Sequence, residues 1–117
     1  MAWAKPAPAL VERFDASLPP DQAVERRKMF GCPCAFVNGN MFAGVHEQNV
    51  ILRLDETGRA RARERFGAGP FTAMGRTMRE YVALPGAAQR PAAEVAQLVA
   101  EAFAYARSLP AKKPKGS

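Results

Sequence analysis

Asn38-Gly39, set between two apolar runs, restricts this chain's folding more than any other feature. A two-residue type I′ turn needs positive φ at both central positions, which Gly adopts freely and Asn at low cost. The run Cys34-Ala35-Phe36-Val37 leads into the turn, and Met41-Phe42-Ala43-Gly44-Val45 leads out of it. On a strand, Cys34 and Phe36 face one way and Ala35 and Val37 the other. Upstream, residues 23–30 are polar and basic and end in Met29-Phe30. That composition predicts an edge strand with one wet face, since Lys and Arg guard exposed edges. Gly31 makes the bend into the second strand. Downstream, His46 to Asn49 reads as another turn, and Val50, Leu52 and Leu54 alternate with Ile51 and Arg53. The expected result is a three-stranded antiparallel meander.

Helical patterns flank it. Leu10, Val11, Phe14 and Leu18 recur at helical spacing after Pro8, predicting a short amphipathic helix over residues 8–18, stopped by Pro19-Pro20. Residues 1–7 read as a loose arm whose Trp3 docks on the body. In residues 56–66, Arg59, Arg61, Arg63 and Arg65 alternate with smaller residues, which on a strand would make a four-arginine face. Asp55 as a cap and Gly67 as a stop favour a helix, where Arg59 and Arg63 share one side and Arg61 and Arg65 another. Residues 67–77 read as a loop with a short strand near Phe71, and Met78 to Leu84 as a strand with Met78, Val82 and Leu84 on one face. After Pro91, Val95, Leu98, Val99, Ala102, Phe103 and Ala106 follow the apolar stripe of a long helix that ends before Pro110. The order of elements predicts an α+β fold of two layers, an antiparallel sheet with helices packed on one face. Residues 1–109 form a single domain in this reading, and 110–117 a basic, disordered tail.

The chain has 117 residues and 48% hydrophobic content, enough for one core. No apolar run approaches the roughly 20 residues that span a bilayer, and the start lacks a leader pattern. No membrane association and a cytoplasmic location are the expectation. Of the net charge of +6, Lys112, Lys113 and Lys115 carry three. These lysines allow a weak, sequence-blind nucleic-acid contact, or serve only solubility.

No catalytic constellation emerges. Cys32 and Cys34 flank Pro33; a disulfide between them would close a small, strained ring, so free thiols are expected. They fit a packing role, with Arg26, Arg27 and Lys28 near enough to make them candidate reactive thiols. Two Cys and one His fall short of a four-ligand zinc set, and no metal or cofactor is expected. His46, beside Glu47, reads as a surface turn residue. Ser17, Ser108 and Ser117 lack any nucleophile motif, and there is no phosphate-loop pattern. Met29, Met41, Met74 and Met78 with Phe30, Phe36, Phe42 and Phe71 suit a plain core; they would also suit an apolar ligand pocket.

Several segments together carry a resemblance. Arg27-Lys28-Met29-Phe30-Gly31 and Pro33 through Gly44 are similar to the N-terminal domain of the TfoX/Sxy family. So are Ile51-Leu52-Arg53-Leu54, Pro70-Phe71 through Met78-Arg79-Glu80-Tyr81-Val82, and Ala104-Tyr105-Ala106 with Leu109-Pro110. The likeness spans about residues 10–115. It implies a small two-layer α+β domain, here a stand-alone N-terminal domain. Founding members are bacterial competence regulators thought to act with a cyclic-AMP receptor protein at promoters, and they carry a further helical domain. The resemblance supplies no catalytic residues. The expectation is a non-enzymatic regulatory or protein-interaction module, contacting a protein partner through the surface around Arg27, Lys28, Arg76 and Arg79 or through a sheet edge, which also leaves room for a homodimer. A small-molecule or cofactor-binding domain and a weak nucleic-acid binder are the alternatives.

Overall fold

The computed structural model describes residues 6–29, 31–73 and 75–111. Trp3, Phe30, Met74, Lys112, Lys113 and Lys115, and the expectations attached to them, lie outside the described residues, as does the side chain of Met29.

Four consecutive antiparallel strands form a meander: β1 (Glu25–Met29), β2 (Cys32–Val37), β3 (Asn40–His46) and β4 (Asn49–Arg53). The edge strand anticipated from its basic side chains joins the meander, which therefore has four strands, not three. The turn between β2 and β3 has φ of 53° at Asn38 and 78° at Gly39, as a type I′ turn requires. Two more strands, β5 (Gly69–Ala73) and β6 (Arg76–Leu84), complete an open sheet of order β1-β2-β3-β4-β6-β5. β6 is the strand that joins β4, through Val50↔Leu84 to Arg53↔Tyr81, and β5 lies outside it.

Three helices cover one face: α1 (Pro8–Ser17), α2 (Glu56–Phe66) and α3 (Ala92–Ser108). α3 lies over β3 and β4 with α1 beside it, and α2 packs on β6. The helix reading of residues 56–66 is correct, and its boundaries explain why. The Asp55 carboxylate accepts the Gly58 N–H at 2.7 Å, and Gly67 ends the helix in the left-handed conformation at φ 68°.

The core lies between these layers. Leu10 and Phe14 enter from α1, and all six residues of the α3 stripe are buried. Phe103 meets Phe42 edge to face, with centroids 5.3 Å apart. Ala35, Val37, Val45, Val50, Leu52, Val82 and Leu84 fill the sheet side. Met78 departs from the expected pattern. It is 40% exposed, because the core ends near Val82 and the N-terminal half of β6 runs on past it.

β3 holds an irregularity that the pattern of its residues did not announce. Ala35 pairs with Ala43, but Phe36 pairs with Met41, so Phe42 is an extra residue in the ladder. In such a bulge two neighbours turn toward the same side. Phe42 and Ala43 both belong to the core between sheet and helices.

Candidate functional site

Among the described residues no helix covers the other face of the sheet, yet parts of it are buried. Register places Arg27, Cys34, Gly44, Ile51 and Ala83 in one row across it. The small residues in that row let neighbours fold over it. A Cβ on Gly44 would meet the Met41 Cε at 2.8 Å and the Cys34 Cβ at 3.3 Å, so the Met41 methyl occupies the space a side chain would take. The Tyr81 hydroxyl donates to the Met41 carbonyl at 3.1 Å, tying β6 to β3 across β4. Phe71 contacts both Tyr81 and His46 edge to face. Under this cover Ile51 is 1% exposed.

Cys32 and Cys34 belong to this face. They are free thiols, 4% and 3% exposed. The Cys34 thiol donates weakly to the Arg27 carbonyl at 3.5 Å. Burial pushes both thiols above their ordinary range; Arg27 and Arg26 pull Cys34 the other way without overcoming it. Both are therefore protonated at neutral pH. His46 is not a surface turn residue: it ends β3, its side chain is 18% exposed, and it packs on Phe71, with Glu47 at 4.0 Å.

Glu80 organises a polar cluster that the sequence did not reveal. Its carboxylate accepts from Arg53 Nε at 2.8 Å and from the Tyr105 hydroxyl of α3 at 2.9 Å. The Arg53 hydrogen bond, aided by Tyr105, holds the Glu80 carboxyl below the usual carboxylate range. Burial raises Tyr105, and its bond to Glu80 raises it further. Arg53 also lies over the Tyr81 ring, 5.7 Å from its centroid. The cluster locks the end of β4, β6 and α3 together. The spacing of Arg53, Glu80 and Tyr105 has no local periodicity, so no sequence signal could have joined them. A neighbouring cleft, lined by Leu54, Gly58, Arg61, Glu101 and Tyr105, is crossed by the Arg61–Glu101 ion pair at 3.1 Å. Among the described residues no group of three or more His, Cys, Asp or Glu stands ready for a metal.

The basic candidates fall on two regions. Arg27 and Lys28 lie on β1, exposed and on opposite faces of that strand. Arg27 pairs with Glu25 at 3.0 Å and lies over Phe36, while Arg26 binds Asp15 of α1 at 2.6 Å. Arg76 and Arg79 lie on β6, with β2, β3 and β4 between them and β1. Arg76 and Arg79 are exposed on the stretch of β6 that passes beyond β4. No helix among the described residues is long and apolar enough to cross a membrane.

Comparison with known proteins gives one finding. The model of the TfoX N-terminal domain matches residues 16–106, most of the chain. No curated protein and no solved structure matches it significantly.

Proposed function

Since this chain belongs to the TfoX N-terminal domain family, we propose that it is a non-enzymatic regulatory module that binds a protein partner through the open edge of β1. One observation carries the reading. Among the described residues β1 pairs only with β2, so the row of N–H and C=O groups along its outer side has no ladder partner there. Such an edge accepts an extended segment from another chain, main-chain bonds supplying affinity and side chains selecting the sequence. Lys28 and Arg27 are exposed along it, Arg27 holding only the exposed Glu25 of its own strand while Arg26 is taken up by Asp15, and an acidic extended segment is the complement they select. Membership of a family with competence-regulator members supports a regulatory role, in a bacterial cytoplasm where the two free thiols stay reduced. The same charges keep unselected strands off the edge.

The first prediction follows. Arg27→Glu with Lys28→Glu should weaken capture of the native partner by tenfold or more, as on the order of 1.4 kcal/mol is a factor of ten. Lys28→Pro, which removes an edge N–H, should weaken it independently of charge. Titration calorimetry with the purified partner decides. Unchanged affinity in both variants, at unchanged melting temperature, rejects the edge as the docking site.

A further inference from the structure

Residues 53–79 contain seven arginines against three carboxylates, a local excess of +4 in a chain of net +6. Three of the seven are engaged: Arg53 with Glu80, Arg59 with the Leu54 carbonyl and Arg61 with Glu101. Arg63, Arg65, Arg76 and Arg79 are exposed and make no ion pair or hydrogen bond among the described residues. The first two lie on α2 and the last two on β6, against which α2 packs.

The shape beneath these charges is specific. β4 pairs with β6 only from Tyr81 onward, so residues 76–79 have β5 alone beside them. Between Pro70 and Thr72 the β5–β6 register shifts, so that Phe71 alone stands against residues 78–81. Beyond that break the two strands continue as a ribbon through Thr72↔Thr77 and Ala73↔Arg76. The Thr72 and Thr77 hydroxyls lie 3.3 Å apart on it. Met78, the exposed large hydrophobic residue among those described, sits between Arg76 and Arg79.

A two-stranded ribbon bearing free guanidinium, hydroxyl and apolar groups fits one surface well. The major groove of B-form DNA is about 12 Å wide, admits a two-stranded ribbon, and presents guanine acceptors and thymine methyls. The major groove of A-form RNA is too deep and narrow for side chains to read. We propose that the β5–β6 ribbon enters the major groove of double-stranded DNA, with Arg76 and Arg79 at phosphates and base edges and one of the two α2 arginines, Arg63 and Arg65, which lie on different sides of that helix, on a flanking phosphate. This surface is separate from the β1 edge, so either site can fail without the other.

The test is fluorescence anisotropy on the full chain with a labelled DNA duplex of about 20 base pairs, between about 50 and 200 mM salt. Lys112, Lys113 and Lys115 are changed to Gln throughout, to remove the sequence-blind pull of those lysines. Binding is expected in the range of about 10⁻⁴ to 10⁻⁶ M at physiological salt, weakening as salt rises. Arg76→Ala with Arg79→Ala should reduce the salt slope by about two and weaken binding roughly tenfold. Arg63→Ala with Arg65→Ala should reduce the slope by about one, since one of the two faces the duplex. Arg76→Lys with Arg79→Lys should retain the slope, which a misfolded variant would not do. Absence of binding to the duplex, an alanine ribbon variant with unchanged affinity and slope, or equal binding of an RNA duplex of the same sequence would each overturn the proposal.

Discussion

Cys32 and Cys34 show how one residue's chemistry depends on what the sheet does around it. Their placement on one strand face is readable from alternation alone. Their burial is not, because it depends on Gly44 leaving room for the Met41 methyl and on the Tyr81 hydroxyl reaching a carbonyl two strands away. Nearby arginines suggest activated thiols by composition; desolvation outweighs them in the structure. Thiol reagents at pH 7 should therefore label the folded chain about a hundredfold or more slower than the urea-unfolded chain. Equal rates, measured with a chromogenic disulfide, would remove the reading. The pH dependence has a definite sign. Both thiols hold their protons to higher pH when folded, so their contribution to stability is intact below the ordinary thiol range and is lost as pH rises through the raised values. Urea unfolding midpoints should accordingly fall from pH 8 upward, and a Cys32→Ala, Cys34→Ala variant should fall less.

Among the elements, α3 is the most legible and β3 the least. The apolar stripe of α3 maps residue for residue onto the core, since a helix on a sheet buries a face of fixed period. Phe103→Ala removes the edge-to-face contact with Phe42 and leaves a cavity over β3. It should cost about 3–5 kcal/mol in equilibrium urea denaturation; a loss below about 1 kcal/mol would mean that α3 does not close the core. α2 was equally legible through its ends: the Asp55 cap and left-handed Gly67 decide against the rival strand where periodicity could not. β3 was opaque because a bulge breaks the two-residue period, and Phe42 and Ala43 look like an ordinary in-out pair until the register is known. The β5–β6 shift was hidden for the same reason, and with it the exposure of Met78.

Across the whole molecule, protection should grade from the middle of the sheet outward. Among the described residues, β3 and β4 have a strand on each side and α3 above them, whereas β1 has a neighbouring strand on one side and residues 76–79 have only β5. Amides of residues 50–52 should exchange with solvent at least about a hundredfold more slowly than those of residues 76–79. Amide exchange followed by nuclear magnetic resonance measures this, and similar rates in both segments would contradict a free-standing ribbon. The two-layer plan was visible in the order of helical and extended patterns. The strand order was not, because nothing local tells β6 to take the place beside β4 ahead of β5. That inversion has a consequence for a chain made from one end. The first four strands can zip together as they leave the ribosome, but their far border stays unsealed until Leu84 has emerged. β5, though synthesised earlier, never touches the meander's ladder; it arrives as a passenger on its younger sibling.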